Sequence, residues 1–462
     1  MDPTAQDLLT VAAGAVPVAL VTALAFWLFI KGTAAKLAPV ALLLIGFVVE
    51  VFFVNRQPYV QIGLQIYPND LVSMAVFLAT LIGFAYRPLP IHASPFLLWL
   101  GFGLTIIASF VIGLNKYGRY AGTEVRPFFY VWVAGLYCSA NEFDEAELRR
   151  IARWCLWTAY AVMAIALYYF IGVTAGLVNR QEVFLEAETA TLRPVAAHAV
   201  LFTACVGLVQ MTMWLRGTGT RLAGLHAAAF MAFTVVLQHR SVWVSAAVGV
   251  LAVAVLERRY LPRRFGLLLG FALAIVLVVA GVGATGALDD LARRLTESTL
   301  SMMDSGGTFA ARIDGWVRLL EQWLAAPPQT LLFGFPFGSG YTRMYNGVII
   351  EFAPHNYFID LLLRVGIVGT LLFLVPTVMA MVHGLTVKAT SEFDYLLSRG
   401  LGVSLLVALF FCIAYPSNYS VSAATGLALA HLMRTQRLRR LQALPRSGAP
   451  LPGQAFGPRP GR

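Results

Sequence analysis

Apolar stretches recur along most of the chain and are separated by connections that carry the polar and charged residues. A helix needs about 20 apolar residues to cross a bilayer core, whose dryness leaves helices as the natural form for such spans. The stretches predict spans at 8–30, 37–54, 70–86, 94–113, 127–141, 151–178, 194–214, 222–238, 241–257, 265–287, 356–382, 396–415 and 418–433. Because the last span is short and polar, the pattern predicts an all-α polytopic membrane protein with about 12 or 13 transmembrane helices.

Basic residues occupy alternate connections of this predicted bundle. They are Lys31, Lys36, Arg87, Arg149, Arg150, Arg216, Arg221, Arg258, Arg259, Arg263, Arg264, Lys388 and Arg399, continued by Arg434, Arg437, Arg439 and Arg440. Connections rich in lysine and arginine stay on the cytoplasmic side of a membrane. The series predicts that these connections and the C terminus are cytoplasmic, and that the intervening loops face outward.

The composition agrees with a membrane protein and argues against other classes. Of the 462 residues, 59% are hydrophobic and 12% are charged, whereas about a quarter of the residues in soluble domains are charged. The net charge of +11 follows the alternate connections and forms no patch of the kind that binds nucleic acid. The cysteines, Cys138, Cys155, Cys205 and Cys412, fall inside apolar spans without CxxC spacing, so neither a metal site nor a disulfide framework is predicted.

The spacing of the spans divides the chain into four parts. Residues 1–287 are predicted to form a bundle of about ten helices, and residues 356–433 the last helices. Residues 434–462 form a basic cytoplasmic tail, which is expected to be disordered. The loop at 288–355 is the longest connection and faces outward, and loops of such length are usually functional.

The long loop contains an amphipathic helix and a glycine-rich turn. In "GGTFAARIDGWVRLLEQWLAAPP" the apolar residues recur at helical spacing, namely Ile313, Trp316, Leu319, Leu320 and Trp323. Arg312 on this helix is a candidate anion ligand, and the helix could also lie on the bilayer surface. In "LLFGFPFGSGYTRMYNG", Gly338 and Gly340 mark a turn where the backbone can approach a ligand closely, with Tyr341 and Arg343 following.

Two further arginines stand where outward-facing loops enter predicted spans. Arg193 precedes Pro194, which suits the first turn of a helix, and a helix N-terminus attracts phosphate. Arg240 lies in "VVLQHRSVW", a hairpin so tight that the arginine must sit at or just below the outer surface, where a charge is costly. Anion binding and a structural role as a snorkelling side chain both fit Arg240.

The segment "FAPHNYFIDLLLRVGIVG" places polar residues at the mouth of the next span. Asn356 suits the cap of a helix that follows Pro354, which leaves His355 unexplained. An imidazole titrates near neutral pH and can take a proton from a hydroxyl nucleophile, although a single histidine is more often structural. Asp360 and Arg364, one turn apart, are expected to pair within the membrane.

Together, "AARIDGW", "LLFGFPFGSGY" and "HNYFIDLLLRVGIVG" resemble the O-antigen ligase and Wzy-type polysaccharide polymerase superfamily over residues 305–372. The resemblance implies a GT-C-like glycosyltransferase of the bacterial inner membrane, with its active site facing the periplasm. It also implies glycan transfer from undecaprenyl pyrophosphate to a sugar hydroxyl, without a cofactor, nucleotide sugar or metal ion. Where the family often has an acidic residue this chain has Arg364, for which Asp360 could substitute.

The same resemblance assigns roles to the candidate residues. His355 would activate or position the acceptor hydroxyl, and Arg193 and Arg240 would hold the pyrophosphate as catalytic residues. Substrate binding falls to Arg312, Asn356, Gly338, Gly340, Tyr341 and Arg343. The implied partners are the lipid-linked donor, the glycan acceptor and the lipid bilayer.

Three functions remain open at this point. A polymerase of repeat units is favoured by the outer loop "VNRQPYVQIGLQIYPND" and by a general likeness to exopolysaccharide polymerases, and it would imply a chain-length regulator as a partner. A ligase that transfers the finished glycan to lipid A core is the alternative. A transporter without catalysis is the third, although the polar residues concentrate in one outer loop and not around paired broken helices.

Overall fold

The computed structural model describes residues 36–53, 58–62, 64–86, 94–178, 194–220, 222–237, 239–262, 264, 308–345, 348–389 and 391–443. The predicted spans at 8–30 and 265–287 lie outside these residues, as does Arg193. Every other predicted span contains a helix. These helices are α1 (Ala38–Phe52), α2 (Pro68–Tyr86), α3 (Ser94–Tyr117), α4 (Arg119–Ala140), α5 (Glu145–Thr174), α6 (Ala197–Arg216), α7 (Ala223–Val236), α8 (Arg240–Leu256), α11 (Tyr357–Thr386), α12 (Glu392–Phe411) and α13 (Tyr419–Ala443).

The outer loop has secondary structure of its own. The predicted amphipathic helix is α9 (Thr308–Leu324), and the short α10 (Pro328–Phe333) follows it. Two antiparallel hairpins complete the described secondary structure: β1 (Val60–Ile62) pairs with β2 (Leu64–Ile66), and β3 (Arg343–Tyr345) pairs with β4 (Val348–Ile350). One predicted boundary needs correction, because α13 continues through Ala443 and the first part of the tail is therefore helical.

Six of the described helices are long and apolar enough to cross a membrane, namely α2, α3, α5, α6, α11 and α12. The helices α1, α7 and α8 are apolar but shorter. The chain is therefore an all-α polytopic membrane protein, as predicted. The more polar α4 and α13 pack closely together. Their backbones approach so closely that a side chain on Gly426 would overlap the carbonyl oxygen of Gly135.

Ion pairs join the helix ends that carry the predicted cytoplasmic basic residues. Arg216 at the end of α6 contacts Glu392 at 2.6 Å and Glu257 at 3.3 Å, which joins the end of α8 to the start of α12. Arg437 on α13 contacts Glu142 at 3.2 Å. These ends form one side of the bundle, called the basic end here. The long loop lies at the opposite, loop end, where the backbone N–H of Tyr357 donates to Cys412, just beyond α12.

The helix α11 is broken at Gly366, whose φ is 64°. A side chain there would overlap the carbonyl oxygen of Leu332 in α10. The carbonyl oxygens freed by the break accept other donors: Leu363 accepts the N–H of Phe335 at 2.6 Å, and Arg364 accepts the Ser109 hydroxyl at 2.9 Å. Irregular backbone within a membrane bundle requires such partners, and here they fix α10 and the glycine-rich turn against α11.

Replacing Gly366 with alanine tests this packing. We expect Gly366→Ala to lower the free energy of unfolding by about 3 kcal/mol or more, because the left-handed backbone and the overlap with Leu332 both disfavour a side chain. The measurement is the thermal unfolding midpoint of the purified protein in detergent. Gly101→Ala in α3 is the matched control, since a side chain there meets the flexible end of Leu372 at 3.3 Å. Equal midpoints for the two variants would contradict the packing at Gly366.

Candidate active site

His355 stands at the entrance to α11 in an unusual backbone conformation. Its φ of 50° is positive, which among the described non-glycine residues occurs only here. A non-glycine residue keeps such a conformation when its surroundings fix it, and such residues cluster at functional sites. The residue after His355 confirms the predicted helix cap. The Asn356 side-chain oxygen accepts the N–H groups of Phe358 at 3.0 Å and Ile359 at 3.2 Å.

The amphipathic helix α9 fixes the chain on the other side of His355. The indole N–H of Trp316 donates to the carbonyl oxygen of Pro354 at 2.5 Å. Leu319 and Trp323, on the same face, are buried against the first turns of α11, whereas Ile313 is exposed. Predicted helical spacing thus matches the buried face of α9, except at Ile313.

Two arginines lie near the His355 imidazole, each against an aromatic ring that also contacts the imidazole. The ring of Tyr415 lies 6.0 Å from the imidazole and 5.6 Å from the Arg312 guanidinium. On the other side, the ring of Phe352 lies 5.8 Å from the imidazole and 5.2 Å from the Arg343 guanidinium. Three predicted site residues from separate parts of the loop are therefore brought together.

This environment controls the protonation of the half-buried His355. Burial lowers the pKa of its imidazole below the usual 6.5, and the positive charges of Arg312 and Arg343 lower it further. The imidazole is consequently neutral at pH 7. A neutral imidazole beside two cations can accept a proton from a hydroxyl group while the cations hold an anion.

Arg343 lies on the inward face of the β3–β4 hairpin and is buried. Its Nη1 donates to the carbonyl oxygens of Tyr341 at 3.1 Å and Phe352 at 2.8 Å. It lies against Gly315 of α9, where a Cβ would come within 2.8 Å of its Nε. Within the described residues that Nε has no hydrogen-bond partner. Arg343 therefore combines a free donor with contacts that fix the loop around His355.

The glycine-rich turn is held by Glu124 of α4. Its carboxylate accepts the N–H of Gly338 at 2.7 Å and that of Gly340 at 3.0 Å. Both glycines have positive φ, the conformation that aims successive N–H groups at one anion. The donors predicted to face a ligand are thus engaged by a carboxylate of the protein. Binding of substrate by Gly338 and Gly340 stays a prediction.

The predicted direct pair between Asp360 and Arg364 is wrong. Arg364 instead contacts Glu124 at 3.0 Å and donates to the carbonyl oxygen of Gly340 at 2.7 Å. Asp360 accepts the hydroxyl of Tyr341 at 2.6 Å, and the Arg364 guanidinium lies 4.0 Å from the Tyr341 ring. The two charges are separated because the glycine-rich turn enters the bundle beside them and supplies other partners.

Tyr341, a predicted substrate ligand, is buried in the same network. Burial and the neighbouring Asp360 carboxylate raise the pKa of its phenol well above 10, so the hydroxyl stays protonated and donates. Its position links the turn to α11. A direct contact of Tyr341 with substrate stays a prediction.

Arg240 is at the loop end but belongs to a second group of residues. It begins α8, directly after His239, whose Nε2 donates to the carbonyl oxygen of Val195 at 2.9 Å. Val195 lies two positions after Arg193, which is outside the described residues. The starts of α6 and α8 therefore lie together, as expected if both arginines serve one anion. That shared role stays a prediction.

The sequence patterns missed several residues of the site. Glu124 lies near the start of α4, but the predicted span began only at 127, so this acid was placed in a loop. The signal that could have identified it is a carboxylate directly before a long apolar stretch. Phe352 and Tyr415 carried no signal, because aromatic residues are frequent throughout the chain.

Comparison with known proteins gives one match. Residues 226–374 match the family model described as O-Antigen ligase, a range that contains Arg240, Arg312, Arg343, His355 and Asn356. No curated protein and no solved structure matches the chain. The matched range also includes the break at Gly366, whereas Glu124 lies before it. Residues 226–374 therefore form a domain of the O-antigen ligase type, which confirms the resemblance that the sequence motifs predicted.

Proposed function

We propose that this protein is a periplasmic-face glycosyltransferase of the bacterial inner membrane. It polymerises oligosaccharide repeat units carried on undecaprenyl pyrophosphate into a surface polysaccharide. The observation that carries the proposal is the position of the His355 imidazole between Arg312 and Arg343 at the mouth of a membrane helix. A family described as O-antigen ligase supports a reaction of this general type.

The proposed reaction joins an acceptor hydroxyl to the anomeric carbon of the donor glycan. As the hydroxyl oxygen forms the new glycosidic bond, His355 takes its proton. The bond between the anomeric carbon and the pyrophosphate oxygen breaks with its electron pair, leaving undecaprenyl pyrophosphate with one more negative charge. The arginines stabilise that charge, and stabilisation of this kind is usually the largest catalytic term.

Arg312 is suited to bind the pyrophosphate because no carboxylate among the described residues pairs with it. Within the described part of the chain, its guanidinium contacts the Tyr415 ring. Arg318, on the same helix, pairs with Asp314 at 2.7 Å and is exposed. A guanidinium without an acidic partner can form charge-assisted, bidentate hydrogen bonds with a phosphate group. In this proposal Arg193 and Arg240 hold the other end of the pyrophosphate.

One structural feature is consistent with the polymerase. The outer loop that motivated this prediction forms the β1–β2 hairpin, fixed to α4 by Arg126, which donates to Gln65 and pairs with Asp70 at 3.4 Å. Tyr59, directly before the hairpin, and Gln61 on β1 are exposed, and aromatic and amide groups of this type bind sugars. It offers an ordered surface at the loop end for a lipid-linked acceptor, and a chain-length regulator would be a further partner.

The ligase is the second candidate because the matching family carries that description. Transport without catalysis is less well supported. A substrate path through a broken helix needs unsatisfied backbone groups, but the Leu363 and Arg364 carbonyl oxygens freed at Gly366 already accept protein donors.

Lipid-linked glycans distinguish these functions. In a strain lacking the protein, we expect single repeat units to accumulate on undecaprenyl pyrophosphate, because no polymerase would join them. The measurement is chromatography and mass spectrometry of extracted lipids, with the restored gene as control. Full-length polymer retained on the carrier would establish the ligase instead. Unchanged lipid-linked pools would overturn glycan transfer altogether.

Substitution of the proposed base gives a direct test. We expect His355→Gln to reduce chain elongation by purified enzyme about 10²-fold to 10⁴-fold, because glutamine cannot take the hydroxyl proton. The thermal unfolding midpoint of the variant serves as the control for folding. Wild-type elongation by a folded His355→Gln variant would exclude His355 as the base.

The pH dependence tests the electrostatics of the site. Activity should fall as the pH decreases through the pKa of His355, below 6.5, because the protonated imidazole cannot accept a proton. We expect Arg312→Gln to remove a repelling charge and to raise the pH of half-maximal activity by about 0.5 to 1 unit, whatever its effect on maximal rate. Arg318→Gln, on the same helix, is the control and should leave that pH unchanged. A fall or no change in Arg312→Gln would contradict the proposed arrangement.

A further inference from the structure

The first part of α11, Tyr357–Val365, carries the site residues and is separated from the rest of the helix by Gly366. Its N-terminal end continues directly from His355. Its C-terminal end lacks the usual helical continuation, so its position depends on other contacts. The backbone N–H of Phe335 and the hydroxyl of Ser109 hold two of its carbonyl oxygens, and the side chain of Arg364 contacts Glu124.

Glu124 and Arg364 form a clamp around the glycine-rich turn. The Glu124 carboxylate accepts two N–H groups of the turn, while Arg364 donates to the Gly340 carbonyl oxygen and to the Ser339 hydroxyl. The two side chains also contact each other at 3.0 Å. Arg364 is 1% exposed, so its charge depends on this carboxylate. The clamp therefore joins α4, the turn and the first part of α11.

A continuous series of contacts leads from the clamp to the proposed base. Tyr341 directly follows Gly340, and its carbonyl oxygen accepts Nη1 of Arg343. The same Nη1 donates to Phe352, whose ring contacts the His355 imidazole. Displacing the turn would therefore displace Arg343, one of the two cations beside His355. The other cation, Arg312, lies on α9, outside this series of contacts.

We propose that Glu124 and Arg364 are positioning residues for glycan transfer, which set the location of Arg343 relative to His355 through the backbone of the glycine-rich turn. This inference rests on the proposed function for its consequence in catalysis, but the positioning itself is a property of the resting protein.

A purely structural ion pair would have different requirements. Buried ion pairs often add little net stability and can be replaced without loss of the fold. Such a pair would tolerate exchange of its two members. The clamp would not, because an arginine at 124 has donors only and cannot accept the N–H groups of Gly338 and Gly340.

The experiment measures the reactivity of His355 in the full-length protein without using its activity. Diethyl pyrocarbonate acylates the neutral imidazole, so the pH midpoint of modification, read by mass spectrometry of the His355 peptide, reports the cations around it. The variants are Glu124→Gln, the exchange of Glu124→Arg with Arg364→Glu, and Glu321→Gln as an exposed control on α9. Thermal unfolding midpoints confirm that each variant is folded.

We expect the midpoint to rise toward 6.5 in Glu124→Gln, to stay raised in the exchanged variant and to remain at the wild-type value in Glu321→Gln. Elongation by Glu124→Gln should show a kcat lower by about 10-fold to 100-fold, with KM for the donor little changed. An unchanged midpoint in Glu124→Gln, or a restored midpoint in the exchanged variant, would overturn the positioning role. A shifted midpoint together with full activity of His355→Gln would leave the clamp standing and overturn the proposed function.

Discussion

The break in α11 at Gly366 is the constraint on which the loop end depends. A membrane helix cannot leave carbonyl groups unpaired in a bilayer, so a break persists only where another part of the protein supplies donors. Here the donors are the N–H of Phe335 and the hydroxyl of Ser109. Because Phe335 belongs to the long loop, satisfying the break also attaches that loop to the bundle. The location of the candidate site thus follows from a backbone requirement inside the membrane.

Buried charges in this structure also depend on partners from distant parts of the chain. A buried arginine such as Arg364 needs a carboxylate nearby, and Glu124 provides it from α4, a helix that packs against α2, α3 and α13. The carboxylate has further acceptor capacity, which the glycine-rich turn uses. One ion pair therefore relates the turn to the most extensively packed part of the described bundle. The loop is long in sequence, but its site-bearing portion is fixed relative to the membrane helices.

The sequence was sufficient for features that depend on neighbouring residues. Span positions follow from local hydropathy, the buried face of α9 from helical spacing, and the Asn356 cap from its place after Pro354. The network around Arg364 could not be obtained this way, because Glu124 is distant in the chain and becomes a partner only when α4 and α11 pack. Spacing alone favoured Asp360 as that partner, since it does not reveal that Tyr341 enters the bundle and takes the Asp360 carboxylate. Motifs could identify His355, but not the aromatic rings that place two cations beside it.

The two cations near His355 have two opposing effects on the proposed chemistry: they can bind the leaving pyrophosphate, and they lower the basicity of the imidazole. In the resting protein burial lowers the pKa of the imidazole and the two cations lower it further, which makes the imidazole a weaker base. Pyrophosphate bound by Arg312 and Arg343 would offset their charge, and the imidazole would then regain basicity. Proton removal from the acceptor would be most favourable when the donor is in place. His355 would therefore act as a base mainly when the donor occupies the site. This coupling requires Arg343 to stay beside His355, where the clamp holds it.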